Sequence, residues 1–197
     1  MIQIKKTILT LVALLAVTTG AWAQVETWTS GDCTVTLFAD VMTVSGTGAM
    51  EDYFDTNFTP WYGYTSDTKT IVIESGVTSI GNFAFSRFEK LESVSIPASV
   101  TSIGKAAFGE CGSDAEAALT VSFAEGSTPL TISESAFYYA NLTSIDIPNR
   151  VTSIGNYAFQ YCSNLESVSI PASVTTIGEY NQEIKGETNV EIIPVIA

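Results

Sequence analysis

The chain contains no histidine, which removes the side chain that most often serves as general base or metal ligand near neutral pH. Three cysteines remain as strong nucleophiles: Cys33, Cys111 and Cys162. Cys111 and Cys162 each stand three residues after an Ala-Phe pair, in a slot that Phe88 and Ala140 fill elsewhere. A slot that accepts Phe, Ala or Cys reads as core packing, with the thiol buried and inert. The carboxylates Glu51, Asp52 and Asp55 could hold calcium through oxygen, but they lack the spacing of a calcium loop and read as solvated surface. Nothing in the pattern builds the cleft that a pair of carboxylates needs for glycoside hydrolysis. Gly46-x-Gly48 has no third glycine and no following helix, so it is no phosphate loop. No catalytic, cofactor-binding or metal-binding residue is therefore expected. The distinctive candidates are the tyrosines Tyr138, Tyr139, Tyr157 and Tyr161. Tyrosine is enriched at binding hot spots, since it buries a large area at low entropic cost and keeps a polar end. The competing expectation is that these rings only pack between neighbouring segments.

The elements that must position them repeat. Val77-Thr-Ser-Ile-Gly-Asn-Phe-Ala-Phe returns as Val100-Thr-Ser-Ile-Gly-Lys-Ala-Ala-Phe and as Val151-Thr-Ser-Ile-Gly-Asn-Tyr-Ala-Phe. A fainter copy runs from Leu130 to Phe137, and Val174-Thr-Thr-Ile-Gly opens another. Aligned on Ile80, Ile103, Ile132, Ile154 and Ile177, the steps are 23, 29, 22 and 23 residues. The long step carries a small, polar insertion around Gly112-Ser-Asp-Ala-Glu-Ala, suited to a surface loop. A fixed period near this length makes the molecule a stack of coils, none of which can bury its apolar face alone. The phrase Leu-Glu-Ser-Val-Ser-Ile-Pro at Leu91 and Leu165 alternates apolar and polar as a strand does, and Pro97, Pro148 and Pro171 stop the run. The recurring Gly81, Gly104, Gly155 and Gly178 suggest a turn needing positive φ. After them, Ala84-Phe85, Ala107-Phe108, Ala136-Phe137 and Ala158-Phe159 are expected to point inward from a short helical turn. Each coil should then supply two short strands and one turn of helix, giving two parallel sheets about 4.8 Å per strand with a column of Phe between them. Ser93, Ser95, Thr120, Ser122, Ser144, Asp146, Ser167 and Ser169 should line one outer face, and Thr78/Ser79, Thr101/Ser102 and Thr152/Ser153 the other. On that spacing Cys111 and Cys162 lie two coils apart, about 10 Å, beyond the roughly 7 Å Cα limit for a disulfide. No Cys111–Cys162 bridge is expected, and Cys33 has no assigned partner.

The string Val-Thr-Ser-Ile-Gly-x-x-Ala-Phe, followed by Leu-x-x-Val-x-Ile-Pro, resembles the BspA-type leucine-rich repeat of bacterial surface and secreted proteins over about residues 68–180. Trp28, Thr47-Gly48-Ala49-Met50 and Pro60-Trp61 resemble the N-terminal cap that such proteins carry. The resemblance implies a β-rich α/β-type solenoid, a right-handed leucine-rich-repeat stack. It also implies an exported protein that adheres to proteins or cells without catalysis. Asn57-Phe-Thr and Asn141-Leu-Thr fit the N-glycosylation sequon but should be inert in a bacterial source.

Met1–Ala23 has a basic start, an apolar run from Ile8 to Val17 and Ala21-Trp22-Ala23 at its end, the pattern of a signal peptide cleaved after Ala23. The apolar run is shorter than the roughly 20 residues that span a bilayer. The expected organisation is a leader at 1–23, a cap at 24–66 and a solenoid of about five coils at 67–197, the last degenerate because Asn181-Gln182 replaces Ala-Phe. Within the cap, Thr34–Phe38 and Met42–Ser45 alternate as a hairpin turning near Ala39-Asp40. Val190-Glu-Ile-Ile-Pro is expected to form a terminal edge strand. The full sequence has a net charge of −13. Without Lys5 and Lys6 the net becomes −15, from six basic and 21 acidic residues. Such acidity argues against nucleic acid and against anionic membranes as partners. The function expected is a secreted or cell-surface adhesin-like module that binds an extracellular protein or glycan, without membrane insertion after cleavage. A structural spacer in a longer surface protein is the first rival, and a carbohydrate-active module the second.

Overall fold

The computed structural model describes residues 24–55, 59–181 and 191–194. The leader Met1–Ala23, the sequon residue Asn57 and the segment 182–190 fall outside the described residues. The chain opens with β1 (Val25–Ser30), β2 (Cys33–Phe38) and β3 (Val41–Gly46), joined as an antiparallel meander. The expected hairpin is β2–β3, turning at Ala39 with φ 55°, and β1 adds a third strand to it. From there every pairing is parallel. β4 (Thr70–Ile73) adds to β3, and β6 (Ser93–Ile96) and β8 (Thr120–Phe123) follow. On the same side β10 (Ser144–Asp146), β12 (Ser167–Ile170) and β14 (Glu191–Pro194) form a separate three-stranded sheet. The expected terminal strand is thus present as β14, outermost in that sheet.

The second face is a five-stranded sheet of very short strands: β5 (Ser79–Ile80), β7 (Ser102–Ile103), β9 (Leu130–Ile132), β11 (Val151–Ile154) and β13 (Thr176–Ile177). The repeat isoleucines mark the register: Ile80, Ile103, Ile132 and Ile154, all buried, pair in one row with the exposed Ile177 at its end. The faint copy is one residue short, and β11 absorbs the difference with an irregularity between Val151 and Ser153. Among the described residues no helix is long and apolar enough to cross a membrane.

Between the two faces runs the aromatic column. Phe85, Phe108, Phe137 and Phe159 are buried, with successive ring centroids 5.5, 5.5 and 5.4 Å apart and interplanar angles of 15°, 10° and 2°. Trp61 heads the line, 6.0 Å from Phe85, and its indole N–H donates to the Ala84 carbonyl at 2.9 Å. Each ring buried in this way contributes about 1.5–3 kcal/mol by its removal from water.

Two expectations about the apex of each coil require correction. There is no turn of helix. The chain instead makes two successive i→i+3 turns, Ala84 N–H to the Gly81 carbonyl and Ser86 N–H to the Phe83 carbonyl, repeated at Gly104–Gly109 and Ser133–Tyr138. The intervening amides donate to the next coil: Phe85 to Ala107, Phe108 to Ala136 and Phe137 to Ala158, at 2.8–2.9 Å. A helix would spend those donors within the coil, whereas here they join the stack. The recurrent glycines, second, are not at positive φ. Left-handed backbone falls two residues later, on Phe83, Ala106, Ser135, Tyr157 and Tyr180, and again on Arg87, Glu110, Tyr139 and Tyr161. Glycine is required for close approach: a Cβ on Gly104 would stand 2.6 Å from the Asn82 backbone nitrogen, and one on Gly155 2.5 Å from that of Glu134.

Candidate functional site

The left-handed residues on the second turn of each apex share one slot, so their side chains line up along the edge of the stack. In chain order the slot holds Arg87, Glu110, Tyr139 and Tyr161. The amides of its first three members donate to the following coil at 2.8, 2.6 and 2.9 Å, to the carbonyls of Gly109, Tyr138 and Gln160. The edge is therefore a bonded ladder rather than a free loop. Its side chains differ from coil to coil while its backbone does not.

Three of the four sequence-predicted tyrosines meet here. Tyr139 stacks on Tyr161 with centroids 4.5 Å apart, and Tyr138 stands edge-on to both at 4.8 and 5.5 Å. Tyr139 and Tyr161 are 50% and 52% exposed despite the contact. The rings pack coil on coil, as the competing expectation has it, and about half the surface of Tyr139 and of Tyr161 still faces water. Burial raises the Tyr138 hydroxyl pKa above the usual phenol value, with Tyr139, Tyr161 and Glu110 adding to the shift. Tyr157 is not part of the cluster. It occupies the first left-handed slot and stacks on Tyr180 at 4.5 Å and 7°, and Tyr180 was not singled out from the sequence.

Two further residues of the edge were also missed. Arg87 lies 3.1 Å from Asp55 and 3.5 Å from Glu110. With Glu89, Ser113, Tyr138 and Tyr139 they line an open groove of about 400 Å³. The available signal was alignment: Arg87 and Glu110 occupy the same repeat position as Tyr139 and Tyr161, so whatever one of them faces, all of them face.

The remaining candidates are accounted for by packing. Cys33, Cys111 and Cys162 are free and buried. The thiols of Cys111 and Cys162 donate to the carbonyls of Phe85 and Phe137 in the preceding coils, at 3.0 and 3.1 Å. Burial pushes both up to about 12, which leaves almost no thiolate near neutral pH. Asp52 accepts the Asn82 N–H at 2.8 Å while Asp55 pairs with Arg87, so the two carboxylates serve different partners. No group of three metal-ligating side chains occurs among the described residues. The Asn141 amide donates to Gly112 at 3.0 Å and accepts from Asn164 at 2.9 Å, as one step in a ladder of asparagines. The hydroxyls of the strand faces are similarly occupied, Ser93 donating to Thr70 at 3.0 Å and Thr101 to the Thr78 carbonyl at 3.0 Å.

Residues 61–180 match, in six copies, the family described as the BspA type leucine rich repeat region. A leucine-rich repeat protein from Eubacterium ventriosum has a crystal structure similar to this chain, with a TM-score of 0.68 and 32% identity. The similarity covers 78% of this chain and 40% of that one. The T. pallidum leucine rich repeat protein TpLRR has the same fold at a TM-score of 0.51 and 22% identity, over 78% of this chain and 61% of its own. The chain thus spans less than two thirds of either structure. None of the curated proteins matches it.

Proposed function

The chain belongs to the BspA-type leucine-rich-repeat family, and from that premise we propose that it is an exported, non-catalytic module. It binds an extracellular protein or glycan at the cell surface, as an adhesin does. The observation that carries this reading is the half-exposed stack of Tyr139 on Tyr161, with Tyr138 edge-on, held on a backbone bonded from coil to coil. A rigid aromatic platform binds at low entropic cost, because its rotamers are already restricted before the partner arrives. Export rests on the basic, apolar and small-residue pattern of Met1–Ala23. Lack of catalysis rests on the absence of histidine and on thiols that burial holds protonated.

Purified chain probed against protein and glycan arrays tests the proposal. Binding to a defined ligand, lost in the Tyr138→Ala, Tyr139→Ala, Tyr161→Ala triple variant but kept by Tyr157→Ala, is the expected result. Silence on both arrays overturns it and favours a spacer role.

A further inference from the structure

The groove beside the tyrosines has a definite electrostatic character. Its ionic side chains are Arg87, Glu89 and Glu110, and Arg87 is already held between Asp55 at 3.1 Å and Glu110 at 3.5 Å. Two carboxylates thus hold the guanidinium, Glu89, which accepts from Ser66 at 3.2 Å, adds another to the groove lining, and the whole chain is net negative at −13. Tyr161 covers one face of Tyr139 and is absent from the groove lining, whereas Tyr138 and Tyr139 belong to that lining. The second face of Tyr139 is therefore turned toward the coil that carries Glu110. A π face with carboxylates beside it attracts a cation through the ring quadrupole and through charge.

Resting on the interaction-module reading above, we propose that this groove takes an arginine or lysine side chain from a basic segment of a partner protein. The cationic head lies against the face of Tyr139 away from Tyr161, beside the Glu110 side chain that holds the preceding slot. Glu110 and Glu89 accept its N–H donors, and its aliphatic stem rests against Tyr138. Charge complementarity is what favours a basic peptide over a neutral glycan, since sugar hydroxyls can donate to the carboxylates but bring no charge to pair with them. It equally disfavours an acidic peptide. Affinity at one such exposed contact is modest, so strong adhesion needs several basic residues on the partner or many copies of the module.

Titration calorimetry of the full chain with the peptide acetyl-Gly-Arg-Gly-Arg-Gly-amide, and with its citrulline counterpart, tests the proposal. The arginine peptide should bind and the neutral citrulline peptide should not. Tyr139→Ala should weaken binding roughly 2- to 5-fold, the range of an exposed cation–π contact, while Tyr139→Phe keeps it. Glu110→Gln should weaken it as well. Glu166→Gln removes the same charge at an exposed site away from the groove and should leave affinity unchanged. Equal weakening by Glu110→Gln and Glu166→Gln overturns the proposal, because binding would then reflect diffuse charge. No binding of the arginine peptide, alongside tyrosine-dependent capture of a neutral glycan, also overturns it, yet leaves the interaction-module reading standing.

Discussion

The interior and the edge of this stack obey opposite rules. Along the buried column the same slot reads Phe85, Phe108, Phe137 and Phe159, with rings nearly parallel. Two residues later, on the edge, the shared slot reads Arg87, Glu110, Tyr139 and Tyr161. Both slots lie on the same turn and are tied by the same coil-to-coil amide bonds. The difference shows that backbone regularity does not demand regular side chains. Where a side chain faces the next coil's interior, packing admits one shape. Where it faces water, the repeat supplies a fixed position and leaves its chemistry free.

The contrast can be broken most severely from within. Phe108→Ala removes a ring stacked on both sides and should cost about 3–5 kcal/mol, read as a lower midpoint in urea unfolding. Gly104→Ala comes next. The added Cβ meets the Asn82 backbone, and forcing extra volume into a packed site costs about 1–3 kcal/mol. Asn181→Ala sharpens the comparison at the end of the column. Asn181 is buried, its Oδ1 accepts the Phe159 N–H at 3.3 Å, and its amide donates to Gly178 at 3.1 Å and to Gly155. It thereby takes the place of the next coil's carbonyl. Leaving the Phe159 donor unsatisfied should cost about 1–3 kcal/mol, and Asn181→Asp, which keeps that acceptor but turns a buried carboxylate onto the Gly155 and Gly178 carbonyls, should cost at least as much. Tyr180→Ala, on the edge, should shift stability by no more than the roughly 0.5–1.5 kcal/mol of an aromatic pair.

Alkaline pH probes the interior through its thiols. Cys111 and Cys162 have folded values near 12 against a reference of 9.0. Above pH 9 the unfolded chain loses those protons first, so ionisation favours unfolding, and stability falls as pH rises from about 9 to 12. Replacing both cysteines with alanine should flatten that slope in pH-dependent urea titrations. A thiol reagent at neutral pH should label neither residue until the chain unfolds.

Much of the interior was legible in the sequence, because burial leaves a periodic mark. Ile80 to Ile177 and Phe85 to Phe159 announce the two rows and the column directly. The apex was legible only as a recurrence. Gly-x-x-Ala-Phe fits a helical turn as well as the double turn observed, and nothing about Phe83, Ala106 or Tyr157 announces left-handed backbone, since their conformation is imposed by neighbouring coils. The glycine slot was visible but its cause was not: steric approach between coils and positive φ leave the same residue behind. The site was half legible. Exposed tyrosines stand out by type, but only coil alignment brings Tyr161 onto Tyr139 and separates Tyr157 from both. Arg87 and Glu110 look like ordinary surface charge until they share a slot with those rings.

Native-state hydrogen exchange at the Glu110 and Tyr139 amides tests whether the variable edge is held as firmly as the constant interior. If both amides are bonded into the next coil, they exchange as slowly as those of Phe108 and Phe137. Exchange at the rate of an open loop would mean that the edge is no fixed platform, and the account of recognition built on it would fail.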